Sequence, residues 1–124
     1  MKQELNEIEI NGVQYVKKGT VKTVMADDLE GKPYVIVRAE SAGVHAGYLE
    51  SKNGQEVVLV NSRRIWYWDG ACSLSQIALE GVKKPENCKF SVEIPRIEVL
   101  GVVEILYCSQ KAKEIIQGVK EWKS

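Results

Sequence analysis

One histidine, one phenylalanine and three cysteines are all that this chain of 124 residues carries of those types. The scarcity excludes whole classes of chemistry. With His45 alone there is no histidine cluster for a metal. Any Ser-His or Cys-His nucleophile pair would have to be built on that single imidazole. Cys72, Cys88 and Cys108 are odd in number and far apart, with no Cys-x-x-Cys spacing. Neither a secreted disulfide framework nor a zinc site is implied, and reduced, mostly buried thiols are expected. Net charge is missing too, since 17 basic residues balance 17 acidic ones. A dedicated nucleic-acid binder usually shows a basic excess. Near-neutral charge also raises little electrostatic barrier to self-association. The opening MKQELNEIEI has acids and no apolar stretch, unlike a signal peptide. Runs such as Val99 to Val103 are far too short to span a bilayer. No P-loop and no Gly-x-Gly-x-x-Gly is present. The expectations are a cytoplasmic protein with no cofactor, no metal and no membrane partner.

What is present suits one domain, residues 1–124. At this length about two-thirds of the unfolded surface can be buried without help from a disulfide or metal. Two Asn-Gly dipeptides, Asn11-Gly12 and Asn53-Gly54, sit between strand-forming residues and predict type I′ hairpins. Between them a polar loop, Asp27 to Pro33, leads into a strand at Tyr34–Glu40. Adjacent Asp27 and Asp28 read as a solvated turn. Gly43 and Gly47 bracket a segment expected to be bulged or closely approached. A long strand follows, with a break possible near Asn61-Ser62. Ser73 and Gln76 form a capping box for a short helix ending at Gly81. A turn at KKPEN, a strand at Lys89–Ile94 and another at Val99–Leu106, broken by Gly101, come next. A last helix is capped by Ser109, with Ala112, Ile115, Ile116 and Val119 on one face and Trp122 anchoring the tail. The pattern predicts an α+β fold: a mostly antiparallel sheet with two hairpins, a short internal helix and a C-terminal helix.

The concentrated feature is NSRRIWYWDGACSLSQ, Asn61 to Gln76. Arginine offers planar, multi-donor contacts to phosphate, and Trp or Tyr offers a face to a base. The free amides at Ser73 are a possible anion seat. The candidate ligand-binding residues are therefore Arg63, Arg64, Trp66, Trp68, Ser73 and Ser75, with Lys89 and Phe90 as a weaker pair. Plain structural roles compete with this. One or two of the three rings belong in a core, and Phe90, the only phenylalanine, reads as core. Arg63 and Arg64 alternate sides in a regular strand, so both serve one pocket only with a bulge or a subunit boundary. His45 reads as a hydrogen-bonded or exposed histidine, and Lys83-Lys84 as a solvated turn.

Through RRIWYWDGACSLSQIALEGVKKPENCKFSVEI the chain resembles a family of small uncharacterised phage and prophage proteins with the pattern RIWYW-x-GA-x-SLSQ, then P-x-x-CKF. The similarity spans about Tyr34 to Trp122. In size and sheet-plus-helix organisation it is also similar to the Thoeris anti-defence sponges, without a position-by-position match of ligand residues. Those proteins sequester cyclic ADP-ribose isomers without degrading them, and some hold cyclic oligonucleotides. The resemblance implies a non-enzymatic anti-defence protein whose partner is a small cyclic adenine-nucleotide signal, with a homo-oligomer supplying shared pocket walls. A protein-interaction inhibitor of a host defence enzyme and a single-stranded nucleic-acid binder are the alternatives.

Overall fold

The computed structural model describes residues 23–123. The elements run β1 (Tyr34–Ala39), β2 (Gly43–Asn53), β3 (Glu56–Tyr67), α1 (Leu74–Glu80), a 3₁₀ turn (Pro85–Asn87), β4 (Lys89–Phe90), β5 (Ile94–Val99), β6 (Val102–Tyr107) and α2 (Gln110–Gly118). The α+β class, the antiparallel sheet and both helices are as expected. The Asn11-Gly12 hairpin lies outside the described residues. The second hairpin is β2–β3, but its turn is shifted by one residue. Asn53 pairs with Glu56, leaving Gly54-Gln55 as the turn. Only Gly54 has positive φ, at 60°, the pattern of a type II′ rather than a type I′ turn. Positive φ at two successive residues occurs instead at Glu30 and Gly31 (53° and 81°), where Leu29 and Lys32 exchange 2.9 Å hydrogen bonds.

The sheet order is β4-β3-β2-β1-β6, and β5 lies along the same edge of β3 as β4. Tyr67↔Lys89 and the pairs from Ser62↔Ile94 to Val57↔Val99 keep one register. The strand expected at Lys89–Ile94 is thus only the start of a longer edge segment, interrupted at residues 91–93. There Ser91 replaces part of the ladder with its side chain: its Oγ accepts from the Arg64 amide at 2.7 Å, while its own amide donates to Arg64 O. β5 was not anticipated, because Pro95 weakens its strand signal, although an edge strand tolerates proline. Nor is Val99–Leu106 one interrupted strand. Leu100 and Gly101 (φ 75°) are a link between β5 and β6.

That link dictates the shape of the sheet. β5 and β6 are its outer strands, and in a flat sheet four strand spacings would separate them by about 19 Å. Three residue steps from Val99 to Val102 reach at most roughly 11 Å. The sheet must therefore curl until these edges approach. The Gly101 carbonyl accepts from Glu40 N and the Val102 amide donates to Gln55 O, stitching the two ends of the curl. The concave face buries Val35, Val37, Ala39, Val57, Leu59, Val99 and Val102 without a helix. The convex face packs Tyr34, Ile36, Ala46, Tyr48, Ile65 and Phe90 against Ile77, Ala78, Ala112 and Ile116 of the helices.

Both helices start where their caps predict. Ser73 Oγ accepts from Gln76 N at 3.2 Å, and Gln76 reaches back to the Cys72 amide at 2.8 Å. Ser109 Oγ accepts from Ala112 N at 3.0 Å and donates to Leu79 O at 2.6 Å, which also ties α2 to α1. Gly81 ends α1 with φ 78°.

Two glycines separate conformational from steric constraint. A Cβ on Gly54 would meet nothing, so Gly54→Val acts only through its positive φ. A Cβ on Gly47 would stand 3.0 Å from the Ser62 backbone. Gly54→Val and Gly47→Ala should each lower stability by about 1–3 kcal/mol in urea unfolding. The Gly47 effect should be relieved by no change at the turn, and a neutral Gly47→Ala would refute the close approach.

Candidate functional site

The site begins with a bulge. Between the pairs Ala46↔Arg63 and Tyr48↔Val60, β3 holds one residue more than β2. Asn61 takes up the difference at φ 50°, a left-handed conformation that asparagine tolerates better than most residues. Before it, Val57 and Leu59 face the concave side and Val60 the convex side. After it, Arg63 and Ile65 turn to the convex side, and Ser62 and Arg64 to the concave side. The break expected near Asn61-Ser62 is present, and it changes which residues are neighbours.

Arg63 is a structural cation. It is 4% exposed. Its Nε donates to Ser91 O at 2.9 Å, and its Nη1 donates to Ile116 O and Val119 O at 2.8 and 2.7 Å. Its guanidinium lies 5.5 Å from the Phe90 ring centroid. The two carbonyls lie at the C-terminal end of α2, where a cation is favourable, and that of Ile116 also accepts from the amide of the C-cap residue Val119 at 3.3 Å. Burial pulls the Arg63 pKa down, opposed by Tyr34, Glu93 and Glu121. Phe90, fully buried, is core.

Arg64 faces the other way. Its guanidinium stacks 4.7 Å from the Trp66 ring centroid, and its Nη2 donates to Ala42 O. His45, opposite Arg64 in the ladder, brings Nε2 to the same carbonyl at 2.9 Å. Nε2 therefore carries the proton, which leaves Nδ1 as an acceptor in the neutral ring. Burial, and then the Arg64 charge, hold the His45 pKa below its ordinary value against the opposing bond to Ala42. Arg64 separates two hollows. One, of about 420 Å³, is a groove between the β1–β2 turn (Ser41 to Val44) and Trp66 and Trp68. The other, of about 200 Å³, is a cleft lined by His45, Ser62, Arg64, Ser91, Ile94 and Ile97.

Of the eight residues expected to bind a ligand, Arg64, Trp66 and Trp68 come together at the groove. Arg63 and Phe90 lie in the convex-side core. Lys89 stands over Trp122, 5.3 Å from its ring centroid. Ser73 and Ser75 sit at the start of α1, line neither hollow, and the Ser73 hydroxyl is used by its own cap. His45, Ser62 and the β1–β2 turn were absent from the expected set. Only Gly47 hinted at this region, by marking the close approach of β2 to Ser62, and no pattern pointed to His45 or Ser62 themselves. A larger open groove of about 970 Å³ near Trp122 mixes Glu86 and Glu121 with Lys120 and Lys123, so it favours ligands of neither sign. Among the described residues no group of three or more His, Cys, Asp or Glu is arranged to hold a metal.

Arg63→Ala would strip the donor from three backbone carbonyls. It should destabilise the fold by about 3–5 kcal/mol, with Arg63→Lys recovering only part, in denaturant unfolding. His45 gives a pH prediction. Below about pH 6.5 the unfolded chain binds a proton that the folded chain resists. The His45 contribution is therefore complete above that pH and is lost as pH falls toward the lowered folded value. His45→Gln should flatten the decline in Tm between about pH 7 and pH 5.5. An unchanged pH profile would show that His45 titrates normally.

No curated protein and no solved structure matches the chain. The family model described as "Domain of unknown function (DUF6948)" matches residues 32–116. That match runs from the turn before β1 into α2 and takes in both hollows and Arg63 with two of its three carbonyl partners, those of Ser91 and Ile116. With more than half its length covered, the chain belongs to the DUF6948 family.

Proposed function

We propose that this protein binds and sequesters a cyclic, adenine-containing nucleotide signal without degrading it, as a phage or prophage anti-defence protein in the host cytoplasm. One observation carries the reading: the Arg64 guanidinium stacked on a Trp66 ring that is 57% exposed, beside Trp68 in one groove. Among the described residues Arg64 makes no ion pair with an acid. A guanidinium held over an indole keeps donors for phosphate, while the rings offer faces to a base. The likeness to the Thoeris sponges in size and organisation points the same way. Sequestration asks for affinity and no acid–base machinery. Among the described residues no helix is long and apolar enough to cross a membrane, and a cytoplasmic location suits a soluble signal.

The groove is open, and a second copy of the chain is the natural source of a further wall, so the binding form is a homo-oligomer. A second reading, inhibition of a host defence enzyme by contact, draws on Trp66 and Tyr67. They are 57% and 52% exposed at one strand end, where aromatic anchors would suit a protein partner. A single-stranded nucleic-acid binder needs a continuous basic groove, and among the described residues Arg64 is the one cation lining this groove.

Thermal shift and calorimetry against cyclic ADP-ribose isomers, cyclic dinucleotides and cyclic trinucleotides test the proposal. A true ligand at one hundred times its Kd should add about 2.7 kcal/mol of stability. It should be recovered intact after the protein is denatured. Arg64→Ala should weaken binding roughly ten- to hundredfold with the fold retained. If no member of these classes raises Tm, or if the recovered ligand is cleaved, sequestration is wrong.

A further inference from the structure

The cleft on the inner side of Arg64 contains a group that its surroundings do not explain. Ser62 is 1% exposed, and its Oγ has no hydrogen-bond partner among the described residues. A buried hydroxyl without a partner is unfavourable, and native structures rarely leave one unused. Ser62 lines the cleft with His45 and Arg64. His45 is itself 3% exposed and has one ring nitrogen not engaged by Ala42. Among the described residues, Arg64 is the charged group lining the cleft beside His45. Glu93, next along the chain from this wall, acts instead on Arg63 and Tyr34 across the sheet. Among the described residues the polar side of the cleft is Arg64, His45 and the hydroxyls of Ser62 and Ser91, and no carboxylate lines it. Ile94 and Ile97 form the apolar side. Its volume of about 200 Å³ lies below the roughly 300–1,000 Å³ of sites for whole drug-sized ligands. It suits one small group of a larger molecule whose remainder rests in the adjoining groove.

We infer that this cleft is a subsite for a tetrahedral oxyanion, a phosphate group of a ligand whose ring lies against Trp66 and Trp68. Arg64 is the wall between the two hollows and supplies the charge. Ser62 Oγ donates to an oxyanion oxygen, and His45 Nδ1 accepts from a protonated oxygen of the group or from a neighbouring sugar hydroxyl. The inference rests on the nucleotide reading for the identity of the ligand, though not for the existence of the anion site.

His45 is the only histidine, so in the full chain without a histidine tag its imidazole NMR signals report on this cleft alone. Inorganic phosphate and pyrophosphate are titrated at fixed pH, with chloride at matched ionic strength as control. The expected result is a saturable shift of the His45 signals. Ser62→Ala and Arg64→Gln should each weaken the apparent affinity about tenfold or more. Ser62→Ala should also keep or raise Tm, because the hydroxyl it removes has no partner in the folded chain. That combination, loss of binding without loss of stability, separates a ligand contact from a packing role. Should Arg64→Gln not fold, Ser62→Ala decides alone. His45 signals that move no further with phosphate than with chloride overturn the subsite, as does an unchanged affinity in Ser62→Ala. Saturable phosphate binding with no response to any cyclic nucleotide supports the subsite and rejects the nucleotide reading. Nucleotide binding that is indifferent to Ser62→Ala and leaves His45 unmoved overturns the subsite and leaves the groove reading standing.

Discussion

A strand alternates its side chains with a period of two, and one extra residue reverses every assignment beyond it. Asn61 is that residue in β3. Without it, Val57, Leu59, Arg63 and Ile65 would share the concave face, and Arg64 would point at the helices. The bulge sends Arg63 to the ends of the α2 carbonyls and Arg64 to the cleft. It also makes room for itself. The opposite residue is Gly47, whose missing Cβ lets the Ser62 backbone come close. On the other edge Asn61 stands opposite Pro95, which has no amide to leave unpaired. Three residues on three strands thus accommodate one irregularity, and both hollows beside Arg64 lie at or beyond it.

Arg63 turns that local kink into a tertiary tie. β3 has no extensive contact of its own with α2, yet one guanidinium joins β3 to the Ser91 interruption of the edge strand and to the last turn of α2. Ser91 answers on the other side, its hydroxyl taking the Arg64 amide. The edge strand is therefore split into β4 and β5 because the two arginines, one through its side chain and one through its backbone, claim the polar groups at 91. The tail continues the pattern, with the Trp122 amide donating to Phe90 O at 2.9 Å. The tail is anchored there as the sequence suggested, by its backbone, while the Trp122 ring is 46% exposed.

What was legible in the sequence was local. Ser73, Gly81 and Ser109 act on amides and carbonyls within one helical turn, so cap residues located both helices. Asn53-Gly54 located the hairpin because a positive φ was needed there, although which residue took it depended on the strand register. The split edge strand was not legible. Its cause is the side chain of Ser91 meeting the backbone of Arg64, a contact between residues far apart in the chain. The curl was hidden for the same reason, since it follows from which strands Leu100 and Gly101 connect. For the site, the density of arginine and aromatic residues located Arg64, Trp66 and Trp68. It could not say that Arg63 satisfies carbonyls at 116 and 119, nor that Ser73 and Ser75 stand apart. His45 and Ser62 carry no sequence pattern, because their importance arises only when β2, β3 and β5 are side by side.

Local rules are broken in few places, and the breaks are not scattered. Among the described residues two buried side-chain polar atoms lack partners, Tyr34 Oη and Ser62 Oγ. Tyr34 belongs to the convex-side core, edge-on to Tyr48 with ring centroids 5.0 Å apart. Its burial raises its pKa far above the ordinary tyrosine value, so the phenol stays neutral and its large ring offsets an unused hydroxyl. Ser62 has no such ring. Near it lie a left-handed asparagine, a histidine resisting protonation and an arginine with no acid partner among the described residues, and two of these side chains share one carbonyl, that of Ala42. Each feature alone is a minor inconsistency. Their convergence on one cleft, in a fold that elsewhere caps its helices and fills both faces of its sheet, is what the proposed oxyanion subsite accounts for. A ligand anion there would neutralise Arg64 and engage Ser62, and so remove two of the strains at once. Binding should then stabilise the β1–β2 turn through Ala42 as well as the cleft itself.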